Sequence, residues 1–289
     1  MRWSAVVTAW SGDPLPWIAV AAGSIGYLIM ARMVNRAHPA TPVPIRRVTF
    51  WLAGMLVIAL ALGSPIDLYA DDLLSIHMVQ HLLLTMAAPP LLALGAPMTL
   101  LLRASSPHFR RSVLLPILHS GAVRAITWPP VGWTAFAIVM WATHFTPLFD
   151  AALENDGLHH VEHLLYVGAG ALFWWPVIGA DPIRWRLSPV SRMVYLAAQM
   201  PINTAIGLAI YFAPGVLYPH YATLLRTWGP SPVVDQQIAG ILMWGVDDLV
   251  MLGALVVCIA GWLRADEVRS HRTEQRAARH VEPESAKGG

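Results

Sequence analysis

The chain has 289 residues, of which 56% are apolar and only 12% are charged, about half the charged fraction of a typical soluble domain. Its formal net charge of +2 is too small to indicate nucleic-acid binding, and its single cysteine, Cys258, excludes an internal disulfide and a CxxC metal motif. The composition predicts an all-α polytopic membrane protein. Phosphate-binding glycine loops, HExxH and GxSxG are absent from the sequence, so we expect no common ATPase or protease activity and no enzyme.

Seven apolar segments approach or exceed the roughly 20 residues that a membrane-spanning helix requires. In chain order they are residues 17–34, 48–63, 73–102, 128–144, 158–178, 191–212 and 233–263. The third contains Pro89, Pro90 and Pro97, and the sixth contains Pro201, so we expect kinks at these positions. The connection 213–232 is rich in proline, tyrosine and glycine, and we expect it to cap the bundle.

Basic residues predict the orientation of these helices. The connections after the first, third and fifth segments, together with the C-terminal tail, hold 17 of the 19 arginines and lysines, whereas the opposite side holds only Arg2 and Arg226. Cytoplasmic loops carry the excess of positive charge in membrane proteins. The N-terminus is therefore predicted to lie outside the cell membrane and the C-terminus in the cytoplasm.

The same pattern divides the chain into three parts. Residues 1–16 form a predicted extracytoplasmic N-terminus, which lacks the pattern of a cleavable signal peptide. Residues 17–263 form the seven-helix transmembrane domain in the lipid bilayer. Residues 264–289 form a charged cytoplasmic tail, predicted to begin as a helix and to become disordered.

Histidines gather on the predicted outer side with a spacing that suits metal binding. His77 and His81 are four residues apart at the start of the third segment, and His159 and His163 have the same spacing at the start of the fifth. Residues at i and i+4 share one helical face, so two facing pairs with His144 nearby can surround one ion. Neutral imidazole binds zinc, copper, iron and nickel, and it also ligates haem.

The seventh segment adds Met243 and Asp247, again four residues apart, inside an apolar stretch. A carboxylate at such depth is costly and usually faces the bundle interior, and methionine suits Cu(I). We count both residues as candidate metal ligands. The alternatives are packing for Met243 and a hydrogen bond to a neighbouring helix for Asp247. Glu162 is predicted either to orient an imidazole or to be solvated.

Several motifs resemble the CtaG-type family of cytochrome c oxidase assembly proteins that accompany bacterial caa-type oxidases. The third segment carries a long motif that runs from Tyr69 through HMVQH and MAAPPLLALGAP to Pro97. HFTP from His144 and HHVEH from His159 resemble the family's HxxP and HxxEH elements. FWWPV follows in the fifth segment, and Met243-Trp244 lies near the C-terminus. The resemblance covers residues 48–263.

The resemblance implies a bacterial plasma-membrane protein that helps to mature the oxidase by delivering copper, with Cu(I) favoured by the methionines. Oxidase subunits and a periplasmic copper donor are the implied partners. The implied ligands are His77, His81, His144, His159 and His163. Two alternatives stay open: a haem- or quinone-linked membrane redox protein, and a scaffold that assembles the oxidase without metal.

Overall fold

The computed structural model describes residues 10, 12–182 and 184–285, with side chains described up to residue 270. These residues form helices and turns, with no strand among them. Most of the predicted N-terminal segment and the last four residues of the predicted tail lie outside the described residues. The tail adjoining the seventh apolar segment is helical as far as Ser285.

Among the described residues, seven longer helices form the bundle: α1 Pro14–Ala37, α2 Ile45–Gly63, α3 Leu74–Ala104, α4 Pro129–Phe145, α5 Asp156–Ile178, α6 Pro189–Tyr211 and α7 Pro232–Ser285. Short helices connect them at Pro65–Ala70, Pro107–Phe109, Leu115–Leu118, Gly121–Ile126, Leu148–Glu154 and Pro219–Thr223. The connection between α3 and α4 contains three of these short helices and a π-helical turn, Arg110–Leu114.

Six of the described helices are long and apolar enough to cross a membrane by themselves. The exception is α4, which has 17 residues and is bent by 70° from the short helix Leu148–Glu154 that follows. Large apolar side chains cover the outside of the bundle, for example Leu164 and Val257, which are 72% and 71% exposed. Such a surface is unfavourable in water and matches the lipid tails of a bilayer.

The predicted break in α3 is confirmed. Residues Leu83–Ala87 form a π-helical turn just before Pro89 and Pro90, which lack the N–H that an α-helix needs. A second break falls at Ala96, whose φ of 50° is left-handed, immediately before Pro97. In contrast, α6 continues through Pro201 as one helix.

Distant aspartates satisfy the free backbone N–H groups where α3 begins and where it restarts. The carboxylate of Asp235, at the start of α7, accepts hydrogen bonds from the backbone N–H groups of Leu74 at 2.8 Å and Ser75 at 3.3 Å. Asp181 accepts from the N–H groups of Met98 at 3.2 Å and Thr99 at 2.7 Å. The first four N–H groups of a helix have no partner within it, so these contacts fix the position of both halves of α3.

Helices α6 and α7 share the most extensive contact between two helices among the described residues. At Gly207 and Gly240 the backbones approach so closely that a Cβ atom on Gly240 would lie 2.7 Å from the carbonyl oxygen of Gly207. Small residues permit such contact between membrane helices. Deeper along the pair, Asn203 Nδ2 donates to Asp247 at 2.7 Å and Thr204 donates to Asp248 at 2.7 Å. These bonds join the two helices within their apolar region.

Candidate metal centre

Five histidines and one glutamate form a buried cluster where α3 and α5 begin and α4 ends; we call this set, His77, His81, His144, His159, Glu162 and His163, the histidine cluster. The four-residue spacing places each pair of rings on one helical face, with ring centroids 4.2 Å apart both for His77 with His81 and for His159 with His163. Between helices, the His77 and His159 rings lie 5.6 Å apart, as do those of His81 and His144. The structure thus brings together all five predicted histidines.

Three members of the cluster converge most closely. One ligand atom from each of His77, His159 and Glu162 lies within 4.8 Å of the other two. A single cation between these atoms would therefore contact all three after small side-chain adjustments. The sequence left Glu162 between an orienting role and a solvated one, and the structure buries it to 2% exposure within this group. The Oε1 atom of Glu162 accepts a hydrogen bond from the Tyr166 hydroxyl group at 3.1 Å.

Polar atoms without partners are concentrated in the cluster. Within the cluster, and among the residues that the structure describes, six buried nitrogens have no hydrogen-bond partner: His77 Nε2, His81 Nδ1 and Nε2, His144 Nε2, His159 Nε2 and His163 Nε2. Glu162 Oε2 is also buried without a partner. Most buried polar side-chain atoms in proteins are hydrogen-bonded, because leaving one unpaired costs about 1–3 kcal/mol. So many unpaired imidazole nitrogens in one place make the cluster a candidate ligand-binding site.

The surroundings of the cluster hold its rings in place. His144 Nδ1 lies 2.7 Å from the backbone oxygen of Met140, which can only accept, so this nitrogen carries the proton and Nε2 carries the lone pair. Phe149, from the short helix after α4, packs against three rings, with centroid distances of 5.0 Å to His77, 6.2 Å to His81 and 6.0 Å to His144. The ring of Tyr166 packs against the ring of His81, with 4.2 Å between their centroids. Metal ligands are commonly fixed by such outer contacts.

The connection between α6 and α7, residues 212–231, covers the cluster as the sequence predicts; we call it the cap segment. The hydroxyl group of Tyr218 donates a hydrogen bond to the backbone oxygen of His144 at 3.2 Å. The hydroxyl oxygen of Tyr221 lies 3.2 Å from His77 Nδ1. Burial raises the pKa of both tyrosines, so their hydroxyl groups stay protonated. Burial also raises the pKa of Asp71, whose backbone oxygen is 2.9 Å from His220 Nε2. The sequence alone gave no sign of these tyrosine contacts.

His160 lies beside the cluster in sequence but has a different contact. Its Nε2 atom is 2.6 Å from an Asp13 carboxylate oxygen just before α1, and its side chain is partly exposed. Successive residues on a helix point about 100° apart, so His160 and His159 cannot share a face. His160 therefore links the start of α5 to the start of α1 through Asp13 and does not belong to the histidine cluster.

Met243 and Asp247 are buried in α7, each 1% exposed. Asp247 takes its hydrogen bond from Asn203 on α6, the helix-to-helix contact that the sequence left as the alternative to a ligand role. Met243 packs in the main apolar core. Helix packing accounts for the observed contacts of Met243 and Asp247. The histidines of the cluster, in contrast, keep nitrogen atoms that have no hydrogen-bond partner.

A family model described as "Cytochrome c oxidase caa3 assembly factor" matches residues 25–265. The chain belongs to this family. The caa3 assembly factor match includes every residue of the histidine cluster and nearly the whole helical bundle. The match is consistent with the resemblance of the α3 motif to this family.

Relatives of this caa3 assembly factor family member include uncharacterized proteins of three mycobacteria. Those of Mycobacterium bovis and Mycobacterium tuberculosis are 30% identical over 97% of this chain, and that of Mycobacterium leprae is 30% identical over 95%. The chain spans less than half the length of these relatives, 43%, 43% and 42% respectively. No solved structure matches the chain.

Proposed function

We propose that this chain is a cytochrome c oxidase assembly factor that binds copper as cargo at the histidine cluster and passes it to an oxidase subunit in the membrane. The observation that carries the proposal is the set of unpaired, buried imidazole nitrogens within one family-matched region. The ligands we propose are His77, His81, His144, His159 and His163, joined by Glu162. On this account the chain is not an enzyme.

The donor set is compatible with copper but does not select it alone. Imidazole and carboxylate donors bind zinc, iron and nickel as well as copper. Membership of an oxidase assembly family supports copper. Met78 and Met140 lie in the main apolar core, and methionine is a side chain that suits Cu(I). More histidines than one ion requires would let the ion exchange ligands, which favours release to a partner. Met243 and Asp247 fit a structural role better than ligation.

We also propose seven membrane crossings, with α4 as the short fourth span. The cluster would then face outside, where a periplasmic donor can supply copper, and α7 would end in the cytoplasm. The alternation of the basic connections supports this arrangement. The bacterial plasma membrane is the proposed location, in agreement with mycobacterial relatives.

The orientation is tested with two reporters fused after Gly289. Alkaline phosphatase, which is active only outside, should be inactive in this fusion, whereas green fluorescent protein, which folds in the cytoplasm, should fluoresce. The opposite pair of results would contradict the orientation. Fusions within the cap segment, after Gly215, should give the reversed pattern and serve as the matched control.

The main alternative is a haem protein, which would need two imidazoles on opposite sides of a flat ring. The histidine rings instead contact one another, and Phe149 and Tyr166 pack against them. This crowding favours an ion over a porphyrin. A metal-free scaffold would leave the unpaired nitrogens without an explanation.

The functional test compares oxidase purified from cells with and without this chain. We expect the oxidase from cells that lack the chain to contain less copper per haem, because its copper centres are not filled. The wild-type chain should restore the copper, and the His77→Ala variant should not. Oxidase with a full copper complement in the absence of the chain would contradict the proposal.

A further inference from the structure

We propose that Tyr221 of the cap segment is a positioning residue for the histidine cluster: its hydroxyl group holds His77 in the tautomer that presents Nε2 to the ion. This inference deepens the proposed function and rests on it for the identity of the cargo. The tautomer itself can be measured without any metal.

Hydrogen-bond direction follows from the number of protons available. The Tyr221 hydroxyl donates to the backbone oxygen of Ala70 at 2.7 Å, and a carbonyl oxygen can only accept. A phenol has one proton, so the contact of 3.2 Å between the same hydroxyl and His77 Nδ1 must use a proton on the imidazole. A neutral imidazole has one N–H, which leaves the lone pair on Nε2. This Nε2 atom is buried and without a partner.

The cap segment holds Tyr221 firmly enough to impose this state. Tyr221 lies in the short helix Pro219–Thr223 and is 1% exposed. The preceding residue, His220, is fixed from two sides: its backbone N–H lies 3.3 Å from Asp150 Oδ1, and its Nε2 lies 2.9 Å from the Asp71 backbone oxygen. The phenol therefore approaches His77 from a position set by three separate parts of the chain.

The same tautomer is imposed independently on a second member of the cluster. His144 donates from Nδ1 to the Met140 backbone oxygen and presents Nε2, as His77 does. An outer hydrogen-bond acceptor on the far nitrogen of a metal-binding histidine fixes its orientation and increases its basicity. For His77 that acceptor is the Tyr221 hydroxyl oxygen, which lies 144 positions away in the sequence. For His144 it is the Met140 backbone oxygen, which lies within α4.

The experiment uses the full chain in detergent with ¹⁵N-labelled histidine, in metal-free buffer at a pH where the imidazoles are neutral. The His77 signals are assigned by their loss in the His77→Ala variant. We expect the wild-type protein to show the proton on Nδ1, and Tyr221→Phe to show a mixture of the two tautomers. Tyr69→Phe is the matched control, because Tyr69 belongs to the adjacent short helix but makes a ring contact with Trp228 rather than with a histidine.

Copper affinity is then measured by competition with a Cu(I) chelator. Tyr221→Phe should weaken binding about 10-fold or more, within the roughly 10- to 100-fold effect that outer partners of metal ligands have. Tyr69→Phe should bind as the wild type does.

The two proposals fail in different ways. A wild-type His77 protonated on Nε2, or an unchanged tautomer and affinity in Tyr221→Phe, would overturn the positioning role. This first result needs no variant, so it holds even if Tyr221→Phe does not fold. Wild-type protein that shows the expected tautomer and yet binds no copper would support the role of Tyr221 while contradicting copper as the cargo.

Discussion

Replacing His159 with alanine should lower the affinity for Cu(I) by more than roughly 100-fold, since loss of an outer partner of a ligand already costs about 10- to 100-fold. His159 Nε2 is one of the unpaired nitrogens, and the residue belongs to the group of three ligands that converge most closely. His77→Ala should have the same effect. The measurement is competition between the purified protein in detergent and a Cu(I) chelator of known affinity.

The adjacent residue supplies a stringent control for this experiment. His160→Ala removes the same side chain one position further along α5, but its ring contacts Asp13 rather than the cluster. We expect this variant to bind copper with nearly wild-type affinity. Equal losses in the two variants would mean that α5 has been disturbed as a whole. Equal retention by both would remove His159 from the ligand set.

Adding one methyl group at Gly240 should destabilise the bundle by about 1–3 kcal/mol, the usual cost of overpacking a close contact. The new Cβ atom would lie 2.7 Å from the Gly207 carbonyl oxygen and 2.9 Å from the Tyr211 backbone nitrogen. Because these obstacles are backbone atoms, side-chain rotation cannot relieve them. The helices also cannot separate without straining the hydrogen bond from Asn203 to Asp247. Thermal unfolding of Gly240→Ala in detergent should therefore show a lower midpoint.

A second glycine of α7 provides the matched control. Gly253 has no atom within 4 Å of the position where its Cβ would lie. Gly253→Ala should keep the wild-type midpoint or raise it, because alanine favours a helix over glycine by about 1 kcal/mol. If Gly240→Ala and Gly253→Ala unfold at the same temperature, the close contact between α6 and α7 does not stabilise the bundle as we infer from the glycine distances.

Much of the fold was predictable from local pattern. The apolar segments predict the helices, and the prolines predict the break in α3, because a missing N–H disrupts a helix wherever the rest of the chain lies. The four-residue spacing of His77 with His81 and of His159 with His163 places each pair on one face. Seven crossings and their orientation stay predictions, since the described residues contain six long apolar helices and the shorter α4, which meets the next short helix at an angle of 70°.

The remainder of the site depends on contacts between distant residues. Asp235 reaches the start of α3 across 161 positions, and Tyr221 reaches His77 across 144. No local pattern distinguishes such residues from other polar residues in loops. Glu162 was ambiguous for the same reason, because its helical position alone does not say whether the neighbouring helix leaves it in solvent. The bond between Asn203 and Asp247 likewise depended on which helix packs beside α7.

The central claim is that the histidine cluster binds copper, and metal analysis of the purified wild-type chain tests it most directly. Protein is loaded with Cu(I) without oxygen, washed with a weak chelator and then measured for copper per chain, together with its absorption spectrum. We predict at least one copper ion per chain, lost in His77→Ala and His159→Ala, and no Soret band. A chain that retains no copper under these conditions, or one that purifies with a Soret band from bound haem, would contradict the account.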